Sequence, residues 1–222
     1  MDSRKLVIAI DGPAGAGKST IAKIVAEKLG YAYIDTGAMY RAVTLKLLRQ
    51  NLPFHPDLAG SVAEHICVRF QPDAGINKVF LDEEDVTEAI RSHDVTALVS
   101  QVSAVESVRS AMVELQRKMG KQGGAVLDGR DIGTVVFPHA DVKIFLTANV
   151  DERVRRRYNE LLAKNQQVDK ETLRSEIITR DKYDSEREIS PLRCAKDAIY
   201  LDTSNIDKDG VVKKILEICK VE

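Results

Sequence analysis

The stretch "GPAGAGKST", residues 12–20, follows directly on the apolar run "LVIAI" and constrains this chain more than any other feature. Glycine loses the most conformational freedom on folding, so closely spaced glycines persist where the backbone must turn sharply or approach something closely. Gly12, Gly17, Lys18 and Ser19 match G-x-x-x-x-G-K-[ST], the loop whose backbone N–H groups cradle phosphate oxygens while its lysine adds a point charge. Its flanks agree. Leu6 to Ile10 is the short continuous run that a strand buried on both faces needs, and Ile21, Ile24, Val25 and Leu29 recur at helical spacing up to Gly30, a C′ residue. Glycines that merely turn a chain would not bring strand, full motif and amphipathic helix together in one row. Gly12, Pro13, Ala14, Gly15, Ala16, Gly17, Lys18, Ser19 and Thr20 are therefore the expected phosphate cradle.

With 222 residues the chain has room for one sizeable core, as one domain with embellishments. Lysine and arginine number 33 against 34 acids, which gives no electrostatic reason to expect a nucleic acid or a membrane as partner. The amino-terminal apolar run is too short for a signal peptide or a membrane span, so a cytoplasmic location is expected. Cys67, Cys194 and Cys219 are widely separated, without metal-ligand spacing, and read as free buried thiols. The histidines show no ligand spacing either.

Further apolar runs at Ala125 to Leu127, Val142 to Leu146 and Ala198 to Leu201 alternate with helical periodicity such as Val211, Val212, Ile215, Leu216 and Cys219. That alternation predicts an α/β fold with a central parallel sheet wrapped by helices. Between Cys67 and Thr87, "CVRF" and "KVFL" flank the turn-rich "QPDAGIN", and Asp82 to Asp85 reads as another tight turn. This segment is expected to be a small antiparallel β insert.

A phosphate-binding loop implies a nucleoside triphosphate and Mg²⁺, with Lys18 on the β and γ phosphates and Ser19 on the metal. A GTPase switch would need N-K-x-D to read guanine, and "NKVF" at Asn77 lacks the aspartate. A purely regulatory ATP-binding module is the other alternative. Against it stands a second population of arginines. In "RDKYDSER", Arg180, Asp184 and Arg187 fall at i, i+4 and i+7, and in "ERVRRRY", Arg153, Arg156 and Arg157 share one helical face. A solvated salt-bridge ladder has the same spacing as the first. A nucleic-acid face is disfavoured for the second by the absence of interleaved aromatics. Phosphoryl transfer needs charge neutralised around one phosphate by groups from several elements, which is what such arginines supply. In "VLDGRDIG", Asp128 ends an apolar strand, where an open α/β sheet places ligands, and its carboxylate is expected to act with Ser19 at the metal. Arg130 and Asp131 leave the sheet edge together just past the strand, for which a turn with a local ion pair is the alternative.

Taken together, "IDGPAGAGKST", "DTGAMYRA", "EDVTEAIR", "DGRDIGTVVFPHADVKIFL" and "RDKYDSEREISPL" resemble the hallmark segments of bacterial-type cytidylate kinases, within the nucleoside monophosphate kinases. The resemblance spans nearly the whole chain. It implies a P-loop NTPase fold in a single domain over residues 1–222, with core segments 1–60, 93–150 and 188–222, a monophosphate-binding insert at about 61–92 and a short lid at about 151–168. It implies ATP as phosphoryl donor with Mg²⁺, and CMP and dCMP as acceptors, in a monomer. A related kinase acting on UMP is the alternative within the class. One departure stands in the "LDEEDV" turn, where Glu83 replaces the glycine often found in the family.

By the same resemblance, Thr36, Ser100, Arg109, Arg130, Asp131, Arg180, Asp184 and Arg187 surround the monophosphate. Lys18, Arg130, Arg153, Arg156, Arg157 and Arg187 are the implied catalytic groups. Cytosine offers an N4 amino donor and the N3 and O2 acceptors, so an aspartate suits the first, and an arginine and a serine suit the others. Asp131, Arg109 and Ser100 have those capacities. Ser100 and Arg109 would lie on opposite faces of a continuous helix. "SAVE", residues 103–106, reads as a capping box in which Ser103 starts a new helix and Glu106 reaches back, bending the chain between them.

Overall fold

The computed structural model describes residues 5–219 apart from 52, 74, 75 and 164. Strand β1 (Val7–Asp11) leads through the glycine loop into α1 (Lys18–Leu29) and on to β2 (Ala32–Asp35). Next come α2 (Thr36–Leu48), α3 (Pro56–Glu64), β3 (Val68–Asp73), β4 (Ile76–Leu81), β5 (Glu84–Asp85), α4 (His93–Val102) and α5 (Glu106–Gly120). The chain finishes with β6 (Ala125–Gly129), β7 (Val142–Thr147), α6 (Val150–Ala163), α7 (Lys170–Glu186), β8 (Ile199–Asp202) and α8 (Lys208–Cys219). Two compact units result, residues 1–32 with 122–222, and residues 33–121.

The main sheet has the order β2-β6-β1-β7-β8. β1 is paired in parallel with β6 on one side and β7 on the other, and β7 carries β8, also in parallel. Parallel strands covered on both faces must be apolar throughout, and β6 is buried along its whole length, as is β1 after Val7. Because the chain leaves β1 and returns on both of its sides, the crevice for ligands opens at the carboxyl ends of these strands. Asp11, Asp128 and the glycine loop all stand there. Register pairs Ile10 with Asp128 and Asp11 with Gly129.

Helix α1 buries Ile21, Ala22, Val25 and Ala26. It ends at Gly30, in the left-handed region at φ 66°, where Tyr31 N donates to Ala26 O at 2.8 Å and Gly30 N to Glu27 O at 3.2 Å. These bonds satisfy carbonyls that the last turn leaves open. Gly12 has φ 151°, and a Cβ there would stand 1.9 Å from the Leu146 carbonyl oxygen of β7, so only glycine lets the loop leave the sheet. Helices α6 and α7 share a small apolar cluster of their own, built on Val154, Leu173 and Ile177. Helix α8 buries Val211, Val212, Ile215 and Cys219, the stripe its periodicity predicts.

In the second unit β3, β4 and β5 form the expected antiparallel insert. Residues 74 and 75 of its expected first turn lie outside the described residues. The second turn places Asp82 at φ 47° and Glu83 at φ 70°. Two consecutive positive φ values are the signature of the tight hairpin turn whose twist matches the strands, and they explain why glycine suits the position that Glu83 occupies here. Asp82 compensates locally, accepting from Cys67 N at 3.0 Å and pairing with Lys46 at 2.7 Å.

Two expectations need correction. Ser103 does not cap α5: its hydroxyl turns back to the Ser100 carbonyl at 3.1 Å and closes α4, while Val105 takes the N-cap position without a side-chain bond. Helices α4 and α5 are separate elements, but three intervening residues part them rather than a capping box. Of the thiols only Cys219 is buried, and burial pushes it up to about 11; Cys67 and Cys194 are exposed on the flank of the insert and in the irregular segment after α7.

Candidate active site

The carboxyl end of β1, the glycine loop and the first turn of α1 set the frame. Gly17, at φ 88°, is the N-cap of α1, so the helix begins at Lys18 with its first amides and its positive dipole end turned to the loop. Lys18 is buried, and its Nζ donates to Pro13 O at 2.7 Å. Burial, and then the charge of Arg130, hold its ammonium well below the usual lysine range. An ammonium so desolvated is a strong partner for a phosphate. Ser19 donates its hydroxyl to Asp128 Oδ2 at 2.9 Å.

The arginines of α6 divide. Arg153 is buried; its Nε donates to Ala148 O at 3.0 Å, its Nη1 donates to Ala14 O at 2.9 Å, and Nη1 is also ion-paired with Asp181 of α7. Arg156 reaches Ala16 O at 3.2 Å and both the carbonyl and the hydroxyl of Thr203, at 2.7 and 3.0 Å. Both are thus fastened to the glycine loop through its backbone carbonyls. Arg157 is elsewhere, paired with Glu160 at 2.7 Å on an exposed face.

Next to the loop lies a charged cluster from the turn after β6 and the end of α7. Arg130 Nε donates to Asp184 Oδ2 at 2.8 Å. Burial alone would lower Arg130, but the carboxylates of Asp184, Asp128 and Asp181 together hold the guanidinium above the ordinary arginine value. Asp184 in turn is held below the carboxylate range by Arg130 and Arg180 against the opposing effect of burial. Arg187 places Nη1 3.8 Å from Asp184 Oδ1 and Nη2 3.8 Å from Asp131 Oδ1. It is not on the helical stripe the spacing suggests, because α7 ends at Glu186 and Arg187 turns out at ψ 142°, with Nε on Ser190 O at 2.7 Å. Asp131 is buried.

Within the second unit, Thr36 is buried in the first turn of α2, directly after the N-cap Asp35. Arg109 is buried, donates to Ser103 O at 2.9 Å and lies 5.3 Å from the centre of the Tyr40 ring. Ser100 is half-buried on α4.

Three groups at the site escaped the sequence reading. Asp11 accepts from Ile132 N at 2.8 Å and Gly133 N at 2.7 Å. Burial pushes its carboxyl up to about 6. Asp181 accepts from the loop amide of Ala14 at 3.0 Å, and Thr203 anchors Arg156. An acid ending the strand before the glycine loop was the available signal for Asp11; Thr203 carries none. Among the described residues there is no cluster of three or more His, Cys, Asp or Glu side chains able to hold a metal alone. Ser19 with Asp128 nevertheless fits Mg²⁺, which takes one or two protein oxygens and completes its shell with water and phosphate.

A glycine loop on the central strand, a buried lysine at a helix start and an arginine-rich cluster beside them define a P-loop phosphotransferase. A shikimate kinase structure from Bacteroides thetaiotaomicron shares the fold at TM-score 0.51 and 14% identity, covering 97% of this chain and 99% of that one. The family model for cytidylate kinase matches residues 8–221. The cytidylate kinase of Exiguobacterium sibiricum is 51% identical over 98% of both chains, and that of Bacillus subtilis is 51% identical over 96% of both. The chain belongs to the cytidylate kinase family.

Proposed function

We propose that this chain transfers the γ-phosphoryl group of ATP to CMP, and to dCMP as well, giving ADP and the diphosphate. The observation that carries the reading is the meeting, in one unit, of the Lys18 loop with the Arg130, Asp184 and Arg187 cluster. In the transfer, a phosphate oxygen of the monophosphate forms the new bond to the γ-phosphorus as the bond to the β-phosphate bridging oxygen breaks. Charge then spreads over the transferring oxygens, and positioned cations are what such a transition state requires. Lys18 serves the donor phosphates; Arg130 and Arg187 hold the acceptor phosphate and the transferring group, with Arg180 beside them. Arg153 and Arg156 fix the loop to the lid at about 151–168. Mg²⁺, held through Ser19 and Asp128, would neutralise and order the donor phosphates.

Asp131 accepts from the cytosine N4 amino group, and Arg109 and Ser100 take the N3 and O2 acceptors, as the family motifs they match imply. Asp184 accepts from the sugar hydroxyl, and Thr36 is the further monophosphate-binding residue that the family motifs imply. No helix among the described residues is long and apolar enough to cross a membrane. The proposed enzyme is a cytoplasmic monomer acting on small molecules. The test is Asp131→Asn, which keeps the shape but exchanges an acceptor for a donor. The ratio of kcat/KM for CMP over UMP should fall by a factor of about ten to a hundred, as expected for one directional base contact. An unchanged ratio would show that another group reads the base.

A further inference from the structure

After Asp131 the chain makes one wide helical turn, Ile132–Val136, closed by Val136 N to Asp131 O at 3.2 Å and Phe137 N to Ile132 O at 2.7 Å. The first amides of any helical turn have no acceptor inside it, and an aspartate at the N-cap is the ordinary local solution. Asp131 occupies that N-cap position, yet it makes no capping bond. The amides of Ile132 and Gly133 instead meet the two oxygens of Asp11, one each, from the end of β1. The cap is supplied from far away in the sequence, by Asp11 rather than by Asp131.

From this exchange of roles, and resting on the function proposed above, we propose that Asp11 is a positioning residue of the acceptor site. Its carboxylate fixes the turn that carries Arg130 and Asp131. The approach at Gly133 is close, since a Cβ there would stand 3.4 Å from Asp11 Oδ2 and 3.2 Å from Lys143 Cδ. The far end of the turn is fastened as well: Lys143 Nζ donates to Pro138 O and pairs with Asp197. Narrow constraint at both ends suits a wide turn, a form common at functional sites. Asp11 also follows β1 into the glycine loop, so one side chain ties the acceptor turn to the strand that presents the donor loop.

The test is Asp11→Asn, which retains one acceptor oxygen and sets an amino group against the other amide. KM for CMP should rise about tenfold and the preference for CMP over UMP should fall, while KM for ATP stays within about twofold, as for a group acting only through acceptor geometry. Amide hydrogen exchange, measured on the protein without nucleotide, should quicken at Ile132 and Gly133 and stay unchanged along α1. A rise in KM for ATP with KM for CMP unchanged would overturn the proposal by assigning Asp11 to the loop. Should the variant fail to fold, wild-type exchange decides: both amides should be protected as strongly as that of Phe137, and free exchange at either would overturn it. If the wild-type protein makes no CDP, the functional reading fails, while the exchange data still settle what Asp11 holds.

Discussion

Arg130 Nε lies 2.8 Å from Asp184 Oδ2, joining the turn after β6 to α7 through a pair whose side chains are 18% and 7% exposed. Around it stand the charges of Arg180 and Arg187. Removing the carboxylate would leave several guanidiniums facing one another with little water to separate them. Asp184→Ala should therefore lose on the order of 3 kcal/mol in urea unfolding, because the remaining charge is buried without its partner. The double variant Arg130→Met with Asp184→Leu should lose distinctly less, and an equal loss would mean that packing rather than charge governs the pair.

Lys18 gives the opposite pattern. Since its ammonium is held below the usual lysine range by burial, the fold disfavours the charge, and removing it relieves a cost. Lys18→Met should leave Tm at or above that of the wild type. Turnover should nonetheless fall at least about a hundredfold, since a charge aimed at the transferring phosphate is gone. A variant that loses both stability and activity would place the lysine in the scaffold.

Arg156 and Arg157, adjacent in sequence, should behave differently. Arg156→Gln should lower kcat more than it raises KM for CMP, because its contacts to Ala16 and Thr203 tie the lid to the loop. Arg157→Gln should stay within about twofold of the wild type, as an exposed ion pair contributes roughly 0–1 kcal/mol. Equal losses in steady-state kinetics would show that Arg157 turns to the substrate during the cycle.

Asp11 makes a pH prediction with a definite sign. Its carboxyl in the fold is pushed from 3.8 up to about 6, so the fold holds the proton more tightly than the unfolded chain does. The contribution of this group to stability is therefore greatest below the unfolded value and is lost as pH rises toward 6. Carboxylates held low, such as Asp184, act in the other sense, so the comparison must be with a variant. Between about pH 5 and pH 7.5, the stability of Asp11→Asn relative to wild type should improve by on the order of 1 kcal/mol in urea titrations. A difference independent of pH would mean that Asp11 titrates normally.

What could be read along the chain was whatever is made by neighbours in sequence. The glycine loop, α1 with its Gly30 end, the apolar strands and the hairpin at Asp82 each arise from a few consecutive residues whose conformational preferences agree. The capping box at Ser103 failed for the same reason that local rules fail elsewhere: a serine hydroxyl has two backbone partners within reach, and closing α4 won over opening α5. Asp181 was invisible because it acts on the Ala14 amide more than a hundred residues away, and Asp11, marked only by its place at the end of β1, gives no local sign that it serves the equally distant Ile132. Arg187 keeps the company its spacing suggested, but from an extended residue beyond the helix. Exposure of Cys67 and Cys194 was equally hidden, since neither segment has the periodicity that would show a buried face.

The most direct test of the whole account is product analysis with the purified protein, MgATP and a panel of CMP, dCMP, UMP, AMP and GMP, following ADP release and separating the nucleotides formed. CMP and dCMP should each yield their diphosphate with one ADP released per acceptor consumed, UMP should react with kcat/KM lower by at least about tenfold, and the purines not measurably, consistent with a base-reading site built on directional contacts. ADP released without an acceptor, or UMP used as well as CMP, would contradict it.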